Sequence, residues 1–348
     1  MYGLIVLFSS CHKKIINDPV LLNPTISNWS KLGGNAATSL GSPITCMYLD
    51  ATGNLYVSAN YAYWIPIQSD KYSMSYIAKW NGTNWTQLGG QTLNANGSIN
   101  TICGDTSGNI YAAGQFSDTI IQENQIYSYP SGNNYVAKWN GISWVNLGGK
   151  GSLKNSSGPA ESIIPSIALN PTNGYLYAAG YYPATNSKVA YYNNSAWVYL
   201  DNTSNLNGGG ISQIMFSKTG DLYSCGSFTN TNGKCYVAKW NGTTWSELGG
   251  VNALNANGSI NAMCIDASGN IYVAGNFSYN MSSNQSLYVA KWDGNTWSII
   301  GYNYLFAPAY AGYSGGIQSL VINSSGTIFA AGGSMVGANN SYYVGRYP

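Results

Sequence analysis

The chain has 348 residues, 45% hydrophobic and only 7% charged, with 42 glycines, 30 tyrosines, 11 tryptophans and a formal net charge of +2. Its lysines are scattered with no basic run, so the field that would attract nucleic acid or an anionic membrane is missing, and nucleic-acid binding is excluded. The only histidine is His12 and the only arginine Arg346, which removes imidazole-ligated copper or zinc, Ser-His or Cys-His nucleophilic catalysis and a multi-arginine carboxylate clamp. No metal and no cofactor is expected. A surface of amides and hydroxyls rather than charges suits an exported protein.

In chain order, residues 1–10 form a short apolar run, MYGLIVLFSS, ahead of Cys11. The run resembles the tail of a bacterial lipoprotein signal, with Cys11 the acylated residue and residues 11–27 a tether; the alternative is an ordinary first strand. Ten residues are too few to cross a bilayer, so the membrane is reached only through a lipid anchor at Cys11. Residues 28–348 read as one repeat domain, because repeat units stack.

Each repeat reads as four short strands, A to D. Strand A recurs from Ile44, Ile99, Ile164, Ile211, Ile260 and Ile317, and strand D around Trp29, Trp85, Trp144, Trp197, Trp245 and Trp297. The first D strand precedes every A strand, while the last repeat stops after C. The pattern predicts an all-β, six-bladed β-propeller of 24 strands in four-stranded antiparallel blades, its ring closed by residues 28–33 pairing with 342–347. Asx-Gly turns such as Asp266 to Gly269 join A to B, and Asn81-Gly82, Asn140-Gly141, Asn193-Asn194, Asn241-Gly242 and Asp293-Gly294 read as type I′ hairpins between C and D. The B to C and D to A connections are long and unequal. Strand alternation puts both on one face, where function is expected.

The repeat, an apolar strand, a turn, I-Y-V-x-G, a V-x-x-W/Y strand and W-x-x-L, resembles the kelch or galactose-oxidase-type propeller repeat over about residues 28–348. The double glycine of that family is Ala-Gly at Ala113-Gly114, Ala179-Gly180 and Ala274-Gly275, and intact at Gly332-Gly333. The resemblance implies a six-bladed propeller with a binding role and carries over no catalytic residue.

Ten tryptophans sit at repeat positions and read as packing between sheets. Trp64 does not. It lies in YAYWIPIQSDKYS with Tyr61, Tyr63 and Tyr72, read as a loop, and either plugs that loop or offers a flat face to a sugar. Tyr127 and Tyr129, Tyr182, Tyr304 and Tyr310 extend the aromatic set on the same face. The strand-C cations Lys79, Lys138, Lys239, Lys291 and Arg346 read as stems lying over neighbouring rings, and Asp50, Asp105 and Asp266 as turn caps rather than calcium ligands.

Cys46, Cys103 and Cys264 read as core, whereas Cys225 and Cys235 could pair as a disulfide across a B to C loop. Asp70, Asp118, Glu123, Glu161 and Asp201 are the loop carboxylates from which a hydrolase or lyase would draw its pair, and no spacing singles one out. Together these features predict a monomeric, non-catalytic binding module of the cell envelope. Its ligand is a glycan or similar polar molecule, and the alternative is a protein-interaction scaffold of an envelope assembly.

Overall fold

The structure is a computed structural model. It describes residues 46–347 except Ala51, 65–70, 90–92, Asn94, Asn96, 117–135, 150–152, 154–162, 183–186, 201–205, 282–283, 301–315, Ser324 and 333–344. The chain divides into two compact units, Met1–Ser39 with Trp80–Thr86 and Leu40–Lys79 with Gln87–Pro348. In the first, the described residues are a turn in which Asn81 Oδ1 accepts the Thr83 and Asn84 N–H groups and the Trp80 and Trp85 rings lie 5.3 Å apart.

The fold is all-β, a six-bladed propeller. Blade 1 has β1 (Met47–Leu49), β2 (Leu55–Trp64), β3 (Lys71–Trp80) and β4 (Trp85–Gln87); blade 2 has β5 (Ile99–Gly104), β6 (Ile110–Gly114), β7 (Ala137–Trp139) and β8 (Trp144–Asn146). Blade 3 has β9 (Ser166–Leu169), β10 (Leu176–Tyr182), β11 (Ser187–Tyr192) and β12 (Trp197–Tyr199); blade 4 has β13 (Ile211–Phe216), β14 (Leu222–Gly226), β15 (Ala238–Trp240) and β16 (Trp245–Glu247). Blade 5 is β17 (Ile260–Ile265), β18 (Ile271–Gly275), β21 (Val289–Trp292) and β22 (Trp297–Ile300), with a separate hairpin of β19 (Ser278–Met281) and β20 (Asn284–Leu287) inserted. Blade 6 has β23 (Ile317–Ile322), β24 (Ile328–Gly332) and β25 (Gly345–Tyr347). The expected fourth strand at 28–33 and the tether with Cys11 lie outside the described residues.

Two of the expected long loops are strands instead. β2 and β3 run on as a ladder of ten residues each, pairing Tyr61 with Met74, Tyr63 with Tyr72 and Trp64 with Lys71. The alternating, aromatic-rich sequence supplies the β-propensity for this in blade 1, and in blade 5 the inserted hairpin pairs Ser278 with Leu287 and Met281 with Asn284. The C to D turns also differ from expectation. They are four-residue connections between paired aromatics, as with Trp139 and Trp144. Asn140 Oδ1 accepts the Ile142 and Ser143 N–H groups at 3.0 and 2.9 Å, so only the following residue needs positive φ. That residue is Gly141 at 95°, and in blade 3 Asn194 at 72°.

The core is a series of slabs, one between each pair of consecutive blades. Tyr56 and Ile77 of blade 1 pack with Ile99 and Ile102 of blade 2, and Val237 of blade 4 packs with Met263 and Val273 of blade 5. Two sets of hydrogen bonds span these slabs. On strand D, Trp144 Nε1 donates to the Leu88 carbonyl (2.8 Å), Trp197 to Leu147 (3.0 Å) and Trp297 to Leu248 (3.1 Å), each reaching one blade back. On strand A, Thr101 Oγ1 accepts the Ile167 N–H (3.3 Å), Ser166 Oγ the Ile214 N–H (3.2 Å) and Gln213 Oε1 the Met263 N–H (2.8 Å).

Strands β5, β13, β17 and β23 each open on a buried isoleucine followed by a bulge, as between Ile99 and Thr101. The end of strand B presses against it. A Cβ on Gly114, Gly226 or Gly275 would stand 2.0–2.1 Å from the carbonyl oxygen of Ser98, Gly210 or Ser259, which no rearrangement of side chains relieves. Glycine is therefore obligatory at 114, 226 and 275, while the position before it takes alanine at 113 and 274 and cysteine at 225.

Removing one tryptophan latch tests this scheme. Trp197→Phe keeps most of the ring but leaves the Leu147 carbonyl unpaired, and we expect a loss of roughly 1–3 kcal/mol in urea unfolding. Trp197→Ala should cost about 3–5 kcal/mol. A Phe variant as stable as the parent would show that the latch contributes nothing.

Candidate functional site

The plain, short-turn end of the blades is closed chemistry. Asp105 accepts the Ser107 and Asn109 N–H groups at one oxygen (2.9 and 3.0 Å) and the Asn109 amide and Tyr111 hydroxyl at the other (2.7 and 2.9 Å). Asp266 repeats the set with Ser268, Asn270 and Tyr272. With its lone pairs so occupied, neither carboxylate is left to ligate calcium. Among the described residues no group of three His, Cys, Asp or Glu side chains could hold a metal.

Burial alone would raise the Asp105 and Asp266 carboxyls. The Asn amides, backbone N–H groups and tyrosine hydroxyls outweigh it and hold both below the usual carboxylate range. Tyr272 is pushed up to about 12 by burial and its bond to Asp266. The ring of that tyrosine in turn seats the strand-C cation: Lys79, Lys138, Lys239 and Lys291 lie 5.5–5.6 Å from the centroids of Tyr56, Tyr111, Tyr223 and Tyr272. In blade 3 the pair is replaced by stacked Tyr177 and Tyr191, 5.2 Å apart.

Several of the sequence-predicted site residues fall elsewhere. Tyr182 is a correction: it is fully buried, donates its hydroxyl to the Ala178 carbonyl (3.1 Å), and burial pushes its pKa up. It fills the slot two residues after the strand-B glycine that Phe116, Phe228 and Phe277 fill in other blades. The Cys225–Cys235 disulfide is also corrected, since both cysteines are free and buried. The register explains it: Ser224 pairs with Ala238, which puts Cys225 level with Val237, while Cys235 bridges to Thr229 and Ala256. Cys264 is buried as expected, whereas half-buried Cys46 donates its thiol to the Ile99 carbonyl (3.6 Å). Trp64, Tyr61, Tyr63 and Tyr72 lie on β2 and β3 rather than in a loop. Tyr127, Tyr129, Tyr304 and Tyr310, and the carboxylates Asp70, Asp118, Glu123, Glu161 and Asp201, lie outside the described residues.

The long-connection end carries a cavity that sequence reasoning missed. Its volume is about 410 Å³, and it is lined by Lys234, Ala253, Leu254, Asn255, Asn257, Ser278, Tyr288, Ala290, Trp297, Ser298 and Ile299. That size falls within the range of small-ligand sites, roughly 300–1,000 Å³. Leu254, Tyr288 and Ala290 are buried and supply an apolar base with Trp297 and Ile299, while Asn255, Asn257, Ser278, Ser298 and Lys234 supply polar atoms. Tyr288 stands edge-on to Phe277 at 4.8 Å.

The wall is braced from behind. Glu247 accepts the Asn252 N–H at one oxygen (2.8 Å) and the Asn230 amide at the other (2.9 Å), and Asn230 also donates to Asn252 Oδ1 (2.9 Å). Asn252 and Asn255 both adopt left-handed φ, 62° and 56°, a conformation that asparagine tolerates better than most residues. The sequence LNANGSIN, present at Leu93 to Asn100 and Leu254 to Asn261, now has a structural account. Its leucine and alanine are buried, and the alanine carbonyl accepts the N–H of Ser75 (2.8 Å) or Cys235 (3.0 Å) at the start of the preceding blade's strand C. The element straps consecutive blades together, and in blade 5 its asparagines edge the cavity.

No family model matches the chain, and no curated protein sequence matches it. Among solved structures it is similar to PorZ, described as an essential bacterial surface component of the type-IX secretion system of Porphyromonas gingivalis. The TM-score is 0.52 at 15% identity, covering 85% of this chain and 40% of PorZ, so the chain spans less than half of that protein's length. It is also similar to the intramolecular trans-sialidase of Ruminococcus gnavus (TM-score 0.45, 13% identity, 87% of this chain and 92% of that one) and to a polysaccharide lyase acting on ulvan (0.45, 14%, 85% and 79%). The class defined by fold is the β-propeller; no family match supports kelch membership in particular. The expectation of a non-catalytic protein is corrected: enzymes are among the structures this chain resembles. The residue inventory excluded only chemistries that need imidazole or clustered arginine, and carboxylate-based cleavage needs neither.

The capped aspartates give a pH signature. Their native pKa values lie below the unfolded value of about 3.9, so their contribution is present above that value and is lost as pH falls through the native pKa. The urea midpoint should drop below pH ~4, and the Asp105→Asn/Asp266→Asn double variant should flatten that drop. A parent midpoint unchanged down to pH ~3 would contradict the assignment.

Proposed function

We propose that this chain is an exported propeller of the cell envelope that binds a glycan, or a ligand of similar polyhydroxylated character, at the long-connection end of its blades. The blade-5 cavity carries the reading. It sets an indole and a phenol ring beside amides, hydroxyls and one ammonium, the combination that takes a sugar by its apolar face and its hydroxyls at once. The β2–β3 ladder bearing Trp64, Tyr61, Tyr63 and Tyr72 extends the proposed surface, as do Tyr127, Tyr129, Tyr304 and Tyr310. An envelope location draws support from the exported composition and, by fold alone, from PorZ; a lipid anchor at Cys11 is part of the proposal. PorZ also favours the second reading, a scaffold within an envelope assembly. Chemistry after binding, by a lyase or hydrolase route, is read from the same assay by product analysis.

The test is a glycan array probed with the full chain, the Asn255→Ala variant and the Trp64→Ala variant. Binding confined to one group of sugars and weakened at least severalfold by Asn255→Ala supports the cavity, and a parallel loss in Trp64→Ala extends the site to the ladder. A blank array with folded protein rejects the glycan reading. Envelope proteins crosslinked to the chain despite excess sugar would select the scaffold.

A further inference from the structure

Lys234 distinguishes the blade-5 cavity from a neutral sugar site. The strand-C lysines are committed to tyrosine rings, and Lys239 makes the only ion pair among the described residues, with Asp221 at 3.0 Å. Lys188, half buried, donates to the Leu206 carbonyl and to that of Gly209 (2.6 Å). Lys234 has no such commitment among the described residues, yet it lies on the cavity wall and is itself only partly exposed.

Its backbone is held firmly. The Lys234 N–H donates to Asn230 Oδ1 (3.1 Å), its carbonyl accepts the Asn230 N–H (2.9 Å), and Gly233 turns the chain at φ 70°. Asn230 is the residue that Glu247 ties to Asn252 behind the cavity wall. Glu247, the carboxylate of this cluster, directs its two oxygens at those amides, and among the described residues no carboxylate lines the cavity. Asn257 is partly committed: Oδ1 accepts the Ser278 N–H (2.8 Å) and one Nδ2 hydrogen goes to Ser278 Oγ (3.3 Å), which leaves its second N–H. The cavity thus offers a ligand one lysine, the exposed Asn255 amide and hydroxyl and amide donors beside an aromatic base.

We infer that the cavity takes acidic carbohydrate, a sugar bearing a carboxylate, with Lys234 as the carboxylate partner and Trp297 and Tyr288 as the platform. The inference rests on the glycan reading above. An ammonium beside apolar surface binds a carboxylate through a charge-assisted bond, roughly twice as strong as a neutral one. Low effective dielectric at a partly enclosed site preserves that advantage.

The experiment uses the full chain and a panel of uronate- and sialate-containing oligosaccharides, each paired with its methyl ester, titrated by calorimetry at two salt concentrations. The acids should bind about tenfold or more tightly than their esters. Lys234→Gln should abolish that difference while retaining ester binding, and Lys234→Arg should keep it. Acid and ester of equal affinity, or a preference that survives Lys234→Gln, overturns the inference and leaves the glycan reading standing. Failure of every acid and every ester to bind folded protein overturns the inference, and a blank glycan array beside it overturns the glycan reading as well.

Discussion

The bonds from the strand-D tryptophans Trp144, Trp197 and Trp297 to the preceding blade are the constraint on which the described structure turns. A single four-stranded blade is too thin to bury both of its faces, so its apolar residues stay wet until a second blade covers them. Hydrophobic contact alone would allow neighbouring sheets to slide. The indole N–H, buried between them and in need of an acceptor, finds only the leucine carbonyl one blade back. Together with the strand-A contacts of Thr101 and Gln213 at the other edge, it fixes angle and height between blades 2 and 3 and between blades 4 and 5. The blades then present their connections at defined positions, and a cavity built from three of those connections keeps its shape.

Much of this was legible because it repeats. Six tryptophans at one strand position, and lysines directly after a buried alanine, could be read as packing, and the lysines do lie over tyrosine rings. What failed was read one copy at a time. Tyr182 passed for a surface tyrosine because its blade writes Gly-Tyr-Tyr where others write Gly-Gln-Phe, Gly-Ser-Phe and Gly-Asn-Phe. Aligned on the glycine, it occupies the phenylalanine slot, and the added hydroxyl is absorbed by the Ala178 carbonyl. Cys225 and Cys235 looked close across a loop, but pairing depends on register, and a two-residue offset removes it. The C to D turns were mistyped because Asn-Gly signals positive φ without fixing loop length; the asparagine side chain serves instead as the acceptor for the two N–H groups that follow.

The cavity was not legible, for a different reason. Its residues come from the B to C connections of blades 4 and 5, the strap entering blade 5 and the outer strands of blade 5. None of these is unusual in sequence. Trp297 occupies a repeat position and reads as packing, and packing it is, since it latches to Leu248. A residue can hold two blades together with its N–H and still present ring surface to a cavity. Repetition therefore marks structural duty without excluding another.

Departures from the repeat carry complementary information. Position for position, strand C places Tyr76, Tyr236 and Tyr288 where blade 3 has Lys188. In blades 4 and 5 the tyrosine meets a phenylalanine edge-on. In blade 3 the ammonium instead gathers two carbonyls of the next strap, and burial lowers its pKa. The strap that a backbone bridge holds at Ala95 and Ala256 is thus held in blade 3 by a side chain. One mechanical requirement, docking each D to A connection on the blade before it, is met by two chemistries. Where the requirement is already met by backbone, as beside Ala256, a lysine on the neighbouring turn is released from it, and Lys234 stands in that position.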